Sequence, residues 1–182
     1  FAYKPDTAFF RNTKWRMTED EVRASEPDAP FSPPVISHFQ NEYYIQSVDP
    51  VGMYGVADAD VYYIFRAQSL YAVTVNMLLP FEDLEDTYKT YEAIRAQFGK
   101  QFGAPDTSIT LPPLAEALRR YERVKNAPSR REQFETGNYV REEDIQSCEK
   151  FTAGDTRIVL KMKFGYSGDD RWMSVEYYDQ TR

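Results

Sequence analysis

Between Val61 and Phe102 the chain changes period, and that change constrains its fold class more than any other feature. Val61 to Phe65, VYYIF, and Leu70 to Leu79, LYAVTVNMLL, are aromatic and β-branched runs. The short connection Arg66 to Ser69 between them predicts a β-hairpin. Beyond Pro80, the residues Leu84, Tyr88, Tyr91, Ile94, Phe98 and Phe102 recur at spacings of three and four, one apolar stripe along a long helix. Asp83 is its expected N-cap, and Gly103 followed by Pro105 its stop. A strand pair followed by a long amphipathic helix implies an α+β domain in which the helix lies across a sheet.

The flanking segments extend this plan. Thr18 followed by Glu21 is a capping box, with Met17 and Val22 as its hydrophobic staple, so a short helix is expected from about Glu19 to Glu26, stopped by Pro27. Pro27 to Gln40 holds four of the eleven prolines and reads as a linker or extended edge. Tyr43 to Val48 reads as a strand, ended by the turn residues Asp49, Pro50, Val51 and Gly52. Asp106 to Ser147 is more charged and reads as a helical insertion: Leu114, Leu118, Tyr121 and Val124 mark one helix, and Ser129 with Glu132 starts another turn that stops near Gly137. Ser147 to Thr152, Arg157 to Phe164 and Trp172 to Tyr178 return to strands. In the second of these, Ile158, Leu160, Met162 and Phe164 alternate with Arg157, Val159, Lys161 and Lys163, one core face and one mostly wet face. The expectation is a single α+β domain over residues 1–182: two antiparallel three-stranded meanders, forming one sheet or two related halves, with helices mainly on one face.

Phe10 to Val22, FRNTKWRMTEDEV, resembles the opening of a group of small uncharacterised bacterial secreted proteins and lipoproteins: an aromatic residue, then Trp-Gly-Met-Ser/Thr, then Glu-Val. Arg16 stands at the glycine of that pattern. Val61 to Phe65 with Leu70 to Val75 is similar to the group's Tyr-x-Phe, Leu-x-x-Val hairpin, and Tyr91 to Pro105 to its helix ending in Gly-x-Pro. The resemblance implies an envelope protein in the style of the small outer-membrane-assembly lipoproteins, periplasmic or anchored to the outer membrane, whose helix-plus-meander module works by binding other proteins. A first residue of Phe1 fits the removal of a secretory signal.

Charge and residue supply narrow the chemistry. A net charge of −7 argues against a nucleic-acid binder, which needs a positive face to release counterions. No run is long enough to span a membrane as a helix. One cysteine, Cys148, excludes an internal disulfide or a multi-cysteine metal site, and the nearby charges of Asp144 and Glu149 are expected to make its thiol inert. One histidine, His38, excludes proton relays that need two imidazoles. Asp58, Asp60, Glu82, Asp83, Glu85 and Asp86 form no calcium loop and match the acidic bias of a helix start. No phosphate-binding glycine loop, dinucleotide fingerprint or nucleophile elbow is present, so no cofactor, metal or catalytic residue is assigned.

What stands out is fourteen Tyr and twelve Phe, many of them on expected strands. If helices leave one sheet face uncovered, Tyr62, Tyr71 and Tyr177 are candidates for a tyrosine-bearing contact surface. Arg119 and Arg123, in the one basic cluster of an acidic chain, are candidates for a partner patch; the plainer reading is a solvated helix face. The expected function is non-catalytic binding of an envelope protein or of a wall or lipid component. The alternatives are a carboxylate-dependent hydrolase and an enzyme-inhibitor-like module.

Overall fold

The computed structural model describes residues 10–37, 41–48, 52–55, 58–78, 83–139, 145–165 and 171–181. Helix α1 is Glu19–Ser25, and both bonds of its capping box form: the Glu21 amide donates to Thr18 Oγ1 at 3.4 Å, and the Thr18 amide to Glu21 Oε2 at 2.8 Å. Val22 is fully buried and Met17 packs against the core, as a staple requires. Arg16 has φ 68, a left-handed conformation that glycine adopts without cost. The segment is also tied to the sheet: the Arg16 amide donates to the Leu70 carbonyl, the Leu70 amide to the Met17 carbonyl, and Trp15 Nε1 to Thr156 Oγ1 at 2.8 Å.

Strands β1 (Val35–Ile36), β2 (Glu42–Gln46), β3 (Ala59–Arg66) and β4 (Ser69–Met77) follow in order. Ala67 and Gln68, both at positive φ, make the tight β3–β4 turn. Helix α2 spans Leu84–Phe102; Asp83 accepts the Glu85 and Asp86 amides, and Gly103 at φ 91 ends it. Next come β5 (Asp106–Ile109), α3 (Leu114–Lys125), α4 (Arg130–Thr136), β6 (Ile145–Ala153), β7 (Thr156–Phe164) and β8 (Arg171–Asp179). Ser129 and Glu132 form a second capping box at α4, closed by Gly137 in the left-handed region.

The pair of three-stranded meanders expected from the sequence is not what forms. Among the described residues, one eight-stranded antiparallel sheet runs in the order β1-β2-β3-β4-β8-β7-β6-β5, its two arms meeting where Val75 lies opposite Val175. Each arm carries an additional edge strand. On one side β1 pairs Val35 with Tyr44, and on the other β5 pairs Asp106 with Lys150. The helical segment therefore starts after Ile109 rather than at Asp106, because Asp106–Ile109 has joined the sheet. The turn residues Asp49, Pro50 and Val51, and His38, lie outside the described residues.

Alternation divides the strand residues into two sets. Val61, Tyr63, Phe65, Val73, Val75, Phe151, Ile158, Leu160, Val175 and Tyr177 belong to the core set. They share one buried cluster with Val22 of α1, with Leu84, Tyr88, Tyr91, Ile94 and Phe98 of α2, and with Ala117 of α3. Phe98 packs edge-on against Tyr54 and Phe151, both at 5.5 Å. The outer set runs through Tyr44, Tyr62, Ile64, Arg66, Thr74, Asn76, Glu176, Tyr178, Val159, Lys161 and Cys148. None of these belongs to that cluster, not even Val159, which is itself buried.

Candidate functional site

A depression of about 570 Å³ opens on the outer set, lined by side chains of β3, β4, β6, β7 and β8. Its position follows from the register: Tyr178 lies opposite both Ala72 and Arg157, and Glu176 opposite both Thr74 and Val159. The β3–β4 register slips between Ile64 and Phe65, and Tyr71 falls in that irregularity. A bulge turns a side chain that regular alternation would aim elsewhere, and here Tyr71 lines the depression. The Arg66 guanidinium lies 4.3 Å from the centre of the Tyr71 ring and pairs with Glu42, Nε to Oε1 at 2.9 Å.

The opposite wall is built around Glu176. Lys161 Nζ donates to both of its oxygens, at 2.9 and 2.7 Å, and the Tyr178 hydroxyl donates to Oε2 at 2.5 Å. Burial first and then the Glu176 bond push the Tyr178 phenol up, and burial first and then Glu42 do the same for Tyr71, so both are hydrogen-bond donors at neutral pH. The lining as a whole sets Arg66, Lys150, Arg157 and Lys161 against the carboxylates of Glu176 and Asp179. A locally cationic surface thus sits on a chain of net charge −7. Farther along the same set, Tyr44 and Tyr62 meet edge to face at 5.6 Å. A second depression, of about 440 Å³, is lined by Asp60, Asn76, Leu78 and the exposed indole of Trp172.

Of the residues singled out in the sequence, Tyr62 and Tyr71 are on this surface. Tyr177 is not. One step from Tyr178 it belongs to the core set, 6% exposed, its ring 5.2 Å from Phe10 and its hydroxyl bonded to Tyr54. Arg119 and Arg123 lie apart from the sheet surface, exposed on α3, where they border a third depression with Glu116 and Arg120. Cys148 lines the cationic depression, whereas Glu149, one of the two charges expected beside its thiol, is buried on the other side of the sheet, and Asp144, the second, lies outside the described residues. Glu149 is buried in the core set, where Arg95 Nε donates to both of its oxygens at 2.8 Å and the Tyr91 hydroxyl donates at 3.1 Å.

Tyr178, Lys161, Arg157 and Trp172 were not singled out. Their signal was the wet face of β7; what the sequence lacks is the register that puts β8 residues of matching parity beside it. The acidic residues have local employment. Asp83 caps α2, Glu85 and Asp86 pair with Lys89, and no group of three or more His, Cys, Asp or Glu that could hold a metal ion occurs among the described residues. No helix among the described residues is long and apolar enough to cross a membrane. No family model matches the chain, and neither the curated proteins nor the solved structures compared with it gave a match.

Proposed function

We propose that this protein is a non-catalytic binding module of the bacterial envelope that engages a partner protein through the outer set of its sheet, with the helices lying mainly over the other face. The observation that carries this reading is the segregation of the strand residues. The buried cluster unites helix side chains with the core set alone, while Tyr62, Tyr71, Tyr178 and Trp172 share the other set with paired and unpaired charges. Tyrosine, tryptophan and arginine are the residues enriched where protein partners meet, because each offers a large rigid area and a polar tip. The inhibitor-like alternative uses the same surface with an enzyme as the partner. The envelope setting rests on the resemblance of the opening segment.

The test is site-specific photo-cross-linking in cells of the source organism, with the reactive group at Tyr62 or Trp172 and, separately, at Arg123. A discrete adduct from the sheet positions and none from Arg123 is expected. An adduct from Arg123 alone, or none from the sheet positions, overturns the reading.

A further inference from the structure

The outer set is not uniformly charged. Along β7 its residues are Arg157, Val159, Lys161 and Lys163, and on β6 Lys150 lies opposite Val159, diagonal to both Arg157 and Lys161. Lys161 is held by Glu176 and Arg66 by Glu42. Among the described residues, neither the Arg157 guanidinium nor the Lys150 ammonium makes a side-chain hydrogen bond or ion pair, although both line the cationic depression.

Diagonal cross-strand neighbours stand ~7–8 Å apart. Alternate side chains of an extended segment recur at nearly the same interval, ~6.8 Å. We infer that the β6–β7 half of this surface seats an acidic extended segment of a partner protein, two carboxylates on alternate residues meeting Arg157 and Lys150, flanked by Tyr178 and Tyr71. The inference rests on the binding reading above and names the partner's chemistry. A short acidic segment of a protein is favoured over a long polyanion because the cationic area is short, contains the carboxylate of Glu176, and sits on a chain whose net charge of −7 repels a long run of phosphates or sulfates.

Two measurements test it on the intact chain. Cys148, the sole thiol, lines the depression and reports its potential. The ratio of its reaction rates with a disulfide reagent bearing carboxylates and with a neutral one is expected to exceed that of a free thiol by about fivefold, and to fall to the free-thiol value in high salt and in the Lys150→Glu, Arg157→Glu variant. The rate ratio cancels any difference in thiolate content. The second measurement is binding of a peptide alternating Glu with Ser, compared with its Gln counterpart. The Glu peptide is expected to bind and to lose about tenfold or more in the double variant, while the Gln peptide does not bind.

The inference falls if the rate ratio matches a free thiol, if the two peptides behave alike, or if heparin or phosphatidylglycerol vesicles bind where the Glu peptide does not. Cross-linking at Tyr62 separates the two readings. Adducts that persist undiminished in the double variant leave the binding surface standing and remove its acidic partner; adducts missing from the unaltered chain remove the surface itself.

Discussion

Glu149 and Glu176 each hold a cation and a tyrosine hydroxyl, and they sit on opposite faces of one sheet. On the core side, the Glu149 side chain is 2% exposed and Arg95, reaching in from α2, is 43% exposed. On the outer side, Glu176 is 15% exposed and Lys161 32%. The same three kinds of group thus serve two ends. A carboxylate that deep needs its partner, because a buried charge left alone retains its full desolvation cost. A carboxylate still in reach of water can exchange its partner for solvent or for another molecule. The core triad fastens α2 to β6, with Ser147 and Ile109 completing the hydrogen-bond chain; the outer triad lines a depression.

The largest effect that could break this contrast lies in the cluster itself. Phe98→Ala removes a ring packed against Tyr54, Phe102 and Phe151 and is expected to cost about 4 kcal/mol in urea unfolding. A loss below about 1 kcal/mol would mean that α2 does not seal the core set.

Next comes the direct comparison of triads. Arg95→Ala removes the guanidinium that pairs with the buried Glu149 carboxylate and is expected to destabilise by about 3 kcal/mol. Lys161→Ala, on the outer side, should cost less than about 1 kcal/mol. Equal losses would erase the distinction between the faces.

Alkaline titration sharpens it further. Burial pushes the Tyr54 phenol up to about 12, and Tyr63 to about 12 with help from the Glu26 charge. In the unfolded chain both ionise near the ordinary value of about 10. The folded state therefore keeps protons that the unfolded state releases, and the stability these groups contribute, fully present below about pH 10, is lost as the pH rises toward about 12. The slope is about 1.4 kcal/mol per pH unit for each such tyrosine, and chemical unfolding at several alkaline pH values measures it. Tyr63→Phe should flatten that slope, whereas Tyr62→Phe, on the half-buried side, should change it less. The reverse order would exchange the two faces.

What was legible in the sequence was local. The α2 stripe, the Thr18–Glu21 and Ser129–Glu132 boxes, the Asp83 cap and the Gly103 stop all form within a few residues of themselves, and each stands where its pattern indicated. The two edge strands were not legible as such. Val35–Ile36 is two residues behind a proline pair, Asp106–Ile109 is mostly polar, and each is a strand because a neighbour supplies its partner: Tyr44 and Tyr43 for one, Lys150 to Cys148 for the other. The placement of the strand tyrosines was undecided at the same level. Period two says that Tyr177 and Tyr178 face opposite ways, but which of them is buried is decided by Val73 and Ile158, which lie opposite Tyr177 on the two flanking strands. Tyr71 needed a bulge, which leaves no sequence mark there.

The smallest expected effect bears most directly on function. Trp172 is 42% exposed, opposite Lys163 on β7, and borders a depression with Asp60 and Asn76. Because water already reaches much of the indole, Trp172→Ala should change stability by no more than about 0.5 kcal/mol. A residue of that size kept accessible spends little on folding and has its area available for a partner, which is why tryptophans in such positions can dominate binding once the partner excludes water. The paired measurement is unfolding and photo-cross-linking from Tyr62 in the same variant: unchanged stability with lost adducts is the signature of a contact residue. A loss of stability above about 2 kcal/mol would instead make Trp172 a packing residue, and this end of the outer set would then belong to the core after all.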